Sequence, residues 1–354
     1  MKKVFLSFAA IAMVLTSCEN EQNEIITETA QEIQVDMSDF TLLVADDDLV
    51  GKSANAADKC HSMKNLEYRL KKDKGLQQRM YDIEYQTRKA IAMKSANGKG
   101  KPGGNDGGGG TPPPVYTGPV SIPVVVNIIE KSAGAVTQAQ INSQIAILNQ
   151  DFNNNNPNTS SIPGEFAGLV ADADITFTLA NVVRKVDTKS SWGTNDAMKL
   201  SSQGGIDATD SANYLNIWVC EIGGGILGYA QFPGGSATTD GVVIGTNYFG
   251  ETVAGGIYGK GRTATHEVGH WLNLRHIWGD GRCRQDDFVA DTPTSDGPNY
   301  NCPSYPTVNC QSNDMTMNYM DYVQDDCMYM FSNGQNDRMR ALFVPGGARE
   351  GLVN

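Results

Sequence analysis

The sequence predicts a mixed α/β (α+β) fold, with a sheet and its backing helices first and a loop-rich, disulfide-tied region after them. Three observations predict it. A nearly unbroken apolar run, Ile122-Pro123-Val124-Val125-Val126-Asn127-Ile128-Ile129, reads as a buried strand. Pro123 stands near its start, where a missing N–H is tolerated. Ile141, Ile145, Leu148 and Phe152 then recur at steps of 4, 3 and 4, the period of an amphipathic helix. Four cysteines, Cys283, Cys302, Cys310 and Cys327, fall within 45 residues near the end of the chain, among many loop-forming residues.

Residues 1–17 read as an export signal: Lys2 and Lys3 open it, and Val4 to Leu15 form an apolar run too short to span a bilayer. Leu15-Thr16-Ser17-Cys18 resembles the lipobox of bacterial lipoproteins, which implies lipidation at Cys18 and an exported protein anchored to a bacterial membrane or cell surface without crossing it. An ordinary secretory signal with a chance cysteine is the alternative. Residues 18–58 are polar, without steady period, and read as a tether. Residues 59–95 read as helical, with Leu66, Leu70, Leu76, Met80 and Ile83 at spacings of three to six. A Gly/Pro-rich linker at 96–117 cannot pack a core and marks a boundary open to cleavage.

The main domain, 118–345, opens with the buried strand and the amphipathic helix. Strands follow around Ile175 to Leu179 and Leu215 to Val219, then Leu227 to Phe232 after a Gly-rich turn, then Val242 to Gly245. Helices are expected from about Arg262 to Leu274 and Gly334 to Leu342, with residues 346–354 as a tail. This order fits a two-lobed molecule.

The formal charge is −12, and most of it belongs to one part: residues 118–354 carry 13 Lys+Arg against 24 Asp+Glu. That argues against nucleic acid and favours cationic substrates or bound cations, although simple solubility explains a negative surface equally well. In an exported chain the four clustered cysteines read as two disulfides, with three pairings open. No CxxC pair occurs among them. Cys220, within the apolar YLNIWVC, reads as a buried free thiol.

His266-Glu267-Val268-Gly269-His270, followed by His276, holds three of the four histidines. In a helix, i and i+4 share a face, so His266 and His270 can aim at one ion. Glu267 beside them can hold and deprotonate a water there. Three neutral nitrogen ligands with one open position describe catalytic Zn2+ rather than structural zinc. The extended motif H-E-x-x-H-x-x-G-x-x-H places Gly at the turn before the third histidine. Asn273 stands there, and Asn is the next most tolerant residue of the left-handed region.

HEVGHWLNLRH, DDFVADTP (Asp286 to Pro293), MNYMDYVQDDCMYMFSNGQNDRMRA (Met317 to Ala341), and YLNIWVC with LGYAQFPGG resemble the bacterial, ulilysin/cytophagalysin-like branch of the pappalysin family of metzincin metalloproteases. The resemblance runs over roughly residues 58–345. It implies a zinc endopeptidase acting on protein or peptide substrates, with a twisted mixed sheet above a loop-rich lower lobe, and a monomer. Met320 matches the Met-turn floor beneath the histidines. Tyr322 matches a tyrosine that donates to the reaction intermediate, though a plain core role is open. The substrate is expected to pair with a strand edge near Leu227 to Phe232. Asp325 and Asp326, with Asp326 preferred, fall where related enzymes have the S1′ pocket, so Arg or Lys is expected after the scissile bond. Cys60 falls within the family's pro-regions and reads as a latent-form zinc ligand, removed by a cut near Arg88 to Lys101. An unpaired cysteine or a bond to Cys220 is the alternative. The resemblance also implies possible Ca2+ near Asp286, Asp287 and Asp291, and pairs Cys283 with Cys310 and Cys302 with Cys327. Two rivals remain: a surface lipoprotein that binds a partner without catalysis, and a zinc hydrolase acting on something other than peptides.

Overall fold

The computed structural model describes residues 34–43, 59–97 and 115–353. The expected signal peptide and Cys18 lie outside these residues, as do most of the tether and linker. Among the described residues, no helix is long and apolar enough to cross a membrane.

Five strands make one mixed sheet: β1 (Val120–Glu130), β2 (Ile175–Val186), β3 (Leu215–Cys220), β4 (Gly228–Ala230) and β5 (Val242–Gly245), in the order β2-β1-β3-β5-β4. All neighbours are parallel except β4, which runs antiparallel to β5 at the sheet edge. β1 lies inside and is buried on both faces, which explains its near-continuous apolar run. Its Val124, Val126 and Ile128 join the main core, while Ile129 joins a second cluster around Trp192, Trp218 and Tyr229. A register shift at Val124/Val125 marks a bulge against β2.

Helix α3 (Gln138–Phe152) is capped by Thr137, whose side chain accepts from Gln140 N–H, and packs on β2. Helix α4 (Arg262–Trp271), wholly buried, packs against α3, β4 and β5. Helix α5 (Asn333–Arg340) opens with a Ser332/Gln335 capping box. Between α4 and α5 lie loops and two-residue ladders, tied by the disulfides Cys283–Cys310 and Cys302–Cys327. Cys60 and Cys220 are buried and neither is in a disulfide, so the alternative Cys60–Cys220 bond is absent.

The segment before the linker forms two helices, α1 (Ser62–Lys72) and α2 (Leu76–Asn97), docked on the catalytic part. Leu66, Leu76 and Met80 bury against Phe232. Glu84 of α2 meets Arg338 of α5 in a buried two-pronged ion pair, at 3.0 and 2.7 Å. Arg88 is mid-helix and paired with Glu84 and Asp39, an unfavourable place for a processing cut while α2 stays docked.

Two flanking segments are anchored on the rest. In residues 34–43, Phe40 packs on Tyr81 and Phe288, and Arg88 donates to the Asp36 carbonyl. The last residues make contacts as well. Arg349 pairs with buried Asp240 and stacks 3.8 Å over Trp271, and Leu352 is buried. Both segments are short, and their few anchors form no period.

Candidate active site and metal centre

Helix α4 places His266 and His270 on one face, one turn apart. It must then stop so that His276 can return. Asn273 takes φ 70°, Leu274 N–H reaches the Gly269 carbonyl at 3.0 Å, and Asn273 N–H the His270 carbonyl at 3.0 Å. This is a Schellman ending with Asn in the left-handed position usually held by Gly. The substitution in the motif therefore leaves the turn intact.

The three imidazoles are buried and oriented from behind. His266 Nδ1 faces the Tyr319 carbonyl at 2.7 Å, and His270 Nδ1 the Leu274 carbonyl at 2.8 Å. Carbonyls only accept, so each Nδ1 carries the proton and each Nε2 presents a lone pair. His276 Nδ1 bonds the Asp280 carboxylate. His270 Nε2 lies 3.1 Å from both His266 Nε2 and His276 Nε2. Lone pairs at that separation repel unless a cation lies between them. Tetrahedral zinc, with Zn–N near 2.0–2.1 Å, sets its nitrogens roughly 3.3 Å apart, so the donor set fits the ion. Burial, followed by the neighbouring His276, pushes the His266 pKa down to about 3. Burial also drives His270 well below its ordinary value. Both rings are therefore neutral, the form that ligates.

Cys60 completes the cluster, its sulfur and the three imidazoles lying within 4.8 Å of one another. It arrives along β4: Leu227 N–H donates to the Lys59 carbonyl at 2.9 Å and His61 N–H to the Gly228 carbonyl at 3.1 Å. The edge strand expected for substrate is thus covered by the chain's own segment. Glu267 is 1% exposed, and its Oε2 accepts from the Ser62 hydroxyl at 2.8 Å. Ser62 Oγ in turn accepts from Ala230 N–H at 2.8 Å. Tyr322 donates to the Cys60 carbonyl at 3.3 Å, with its ring 4.9 Å from that of His276.

Met320 is fully buried beneath the motif helix. A Cβ on Gly269 would stand 2.5 Å from the Met320 sulfur, so a larger residue there would force the Met320 side chain to move. Trp278 stacks on His276 at 4.3 Å with planes 7° apart and meets Tyr322 edge-on at 4.8 Å.

Beside Glu267 and His266 opens a small pocket, lined by Lys59, Tyr258, Thr263, Tyr322, Asp325 and Met328 among others. Of the adjacent acids Asp325 and Asp326, Asp325 lines it, together with Asp321 and Glu267. Asp326 points to solvent and pairs with Lys260. Asp325 is buried and accepts from Lys260 N–H at 2.8 Å and Arg262 N–H at 3.3 Å. Burial raises its pKa to about 6. In the short helical turn Asp325–Cys327, neighbouring side chains face different ways, which a reading of adjacent acids could not resolve.

The aspartates proposed for calcium do not form a ligand cluster among the described residues. Asp286 accepts from Phe288 N–H, Asp287 from Val289 N–H and Thr292, and Asp291 from Ser332 and Gly334 N–H. These bonds fix loop turns, and burial pushes the Asp287 pKa well up. Tyr319, Asp280, Trp278, Ser62 and Asp196 escaped the sequence reading. Only Asp280, four residues after His276, left a spacing that could have revealed it.

Comparison with known proteins agrees with this geometry. The peptidase family M43 model, described as pregnancy-associated plasma protein-A, matches residues 201–344. Extracellular metalloprotease 1 of Coccidioides posadasii is 30% identical over 237 residues, covering 64% of this chain and 77% of the relative. The extracellular metalloprotease of Pyricularia oryzae is 33% identical, covering 62% and 72%. Mature mirolysin of Tannerella forsythia, in complex with a cleaved peptide, is 42% identical with a TM-score of 0.65, covering 67% of this chain and 96% of that one. A promirolysin mutant is 38% identical with a TM-score of 0.71 and extends the match to 83% of this chain and 97% of its own. Likeness over most of each relative's length, together with three imidazoles that need a cation, places the chain in the pappalysin (M43) family as a zinc metalloendopeptidase.

Proposed function

We propose that this chain is exported as a latent zinc endopeptidase, that residues 59–97 hold it inactive, and that the freed enzyme cuts before Arg or Lys. The observation that carries the reading is the position of Cys60. Its sulfur stands where the fourth ligand belongs, while Ser62 ties up the Glu267 carboxylate. Substrate and water cannot enter while both are in place. The promirolysin match, longer than that to mature mirolysin, supports a pro-segment here.

His266, His270 and His276 would hold the zinc, which would supply Lewis acidity toward a water and the scissile carbonyl. Glu267 accepts the proton of the attacking water and passes it to the leaving amine. Tyr322, which already donates to a peptide carbonyl in the latent form, donates to the substrate oxygen as charge develops there. The substrate pairs with the β4 edge vacated by Lys59–His61. Asp325 forms the base of the S1′ pocket, and a basic side chain entering it meets a desolvated carboxylate. Relatives named extracellular and the Cys18 lipobox support export with a lipid anchor.

The test is to activate the full chain by limited proteolysis and digest a denatured protein with it, with and without a zinc chelator, reading cleavage sites by mass spectrometry. Chelator-sensitive cuts before Arg or Lys, absent in Glu267→Ala, are expected. A processed, zinc-loaded protein that makes no cuts would overturn the reading.

A further inference from the structure

Past Cys60 the pro-segment makes a second polar contact with the catalytic part. His61, Asn65 and Arg69 recur every four residues along one side of α1, and all meet the region of Thr194, Asp196 and Thr239. His61 Nδ1 lies 3.4 Å from Thr194 Oγ1. Asn65 donates to the Thr194 carbonyl at 2.9 Å and to Asp196 Oδ2 at 3.1 Å. Arg69 Nη2 lies 2.7 Å from Asp196 Oδ2, and Nη1 donates to Thr239 Oγ1 at 2.9 Å.

The two oxygens of Asp196 are divided between the parts of the molecule. Oδ1 faces Lys199 Nζ at 3.2 Å and the Tyr229 hydroxyl at 3.3 Å, both on the catalytic side. Among the described residues, the partners recorded for Oδ2 are Asn65 and Arg69, both on the pro-segment. Asp196 is 5% exposed. Removing residues 59–97 therefore leaves one oxygen of a held carboxylate without its donors, at a site shaped around a guanidinium. Oδ2 can then take a new guanidinium in the place of Arg69, while Lys199 and Tyr229 keep the carboxylate in position. Thr239 stays in place, since its hydroxyl donates to Gln231 Oε1 at 2.8 Å. Phe232, now covered by Leu66, Leu76 and Met80, would lie open nearby, an apolar surface for the stem of a long basic side chain.

We infer that Asp196 and Thr239 form a subsite of the processed enzyme for an arginine or lysine side chain of the substrate. Lys59 and Cys60 line the Asp325 cavity, and the chain then crosses the histidine cluster before Asn65 and Arg69 reach Asp196. The subsite thus lies across the metal centre from that cavity, on the side N-terminal to the scissile bond. In the latent form Arg69 occupies it. This rests on the zymogen reading above. The net negative charge of residues 118–354 favours approach of such a substrate.

The test uses the full chain, processed and checked by N-terminal sequencing. It compares peptides identical except for arginine or citrulline at each position before the scissile bond. At one position citrulline is expected to lower kcat/KM about tenfold, mainly through KM. In Asp196→Asn that ratio falls to about one while the preference after the scissile bond is unchanged. No discrimination at any position, or equal discrimination in Asp196→Asn, overturns the inference. If Asp196→Asn does not fold, the wild-type scan still decides whether the subsite exists, and Thr239→Val must lower the same ratio. Full activity with residues 59–97 still attached and docked would instead sink the zymogen reading. Processed, active enzyme blind to arginine sinks the subsite alone.

Discussion

Glu84→Gln tests how the pro-segment is held. Glu84 is buried in α2 and meets the guanidinium of buried Arg338 through both oxygens, with Arg88 donating to it as well at 2.8 Å. Burial alone would raise its pKa, but the charges and hydrogen bonds of Arg338 and Arg88 outweigh burial and bring it from 4.5 to about 2. A drop of that size corresponds to about 3 kcal/mol, the larger part of it from Arg338 and lost on undocking, since Arg88 lies on the same helix as Glu84. Breaking a buried ion pair by removing one partner costs about 3–5 kcal/mol, so the two routes agree. The variant should therefore raise the dissociation constant of the cleaved but still docked segment about a hundredfold. The assay cuts the linker, dilutes the complex and follows the onset of peptide hydrolysis. Because the docked pKa is depressed, the contribution of Glu84 is fully present above about pH 4.5 and is lost as pH falls toward 2. The gap between wild type and variant should be constant from pH 5 to 8 and narrow below that. A dissociation constant within twofold of wild type at pH 7 would refute the reasoning.

Three other outcomes are expected. Cys60→Ala removes the sulfur from the histidine cluster and should give an uncleaved chain with measurable hydrolysis of small peptides, with Glu267→Ala as the silent control; an inactive, zinc-loaded Cys60→Ala chain would count against the switch. Asp325→Ala should erase the preference for basic residues after the scissile bond, whereas Asp326→Ala should leave the cleavage profile unchanged, since its carboxylate faces solvent beside Lys260. Asn273→Gly relieves a left-handed residue at φ 70° and should raise stability by up to about 1 kcal/mol with kcat/KM unchanged, read by thermal unfolding of the zinc-loaded protein; a clear loss of stability would show that the Asn273 side chain matters more than its backbone.

Local spacing determined a good deal of this protein. His266 and His270 share a helix face wherever that helix lies, and Asn273 can supply the turn that returns His276, because both are properties of a few consecutive residues. The long apolar run of β1 announced an interior strand for the same reason. Family resemblance added the disulfide pairing and Met320, which spacing could not. The tertiary structure alone decided what meets across the chain. Asp325 rather than Asp326 lines the cavity, because a single turn sends adjacent side chains apart. Ser62 reaches Glu267 and Arg69 reaches Asp196 over separations of 205 and 127 residues, contacts that leave no period in sequence. Residues 34–43 and Arg349 dock through scattered contacts that leave no period in the sequence. Chemistry carried by one helix is written in its repeat, whereas contacts such as Ser62 with Glu267 and Arg69 with Asp196 arise where distant segments are brought together, and only packing fixes which side chains those are.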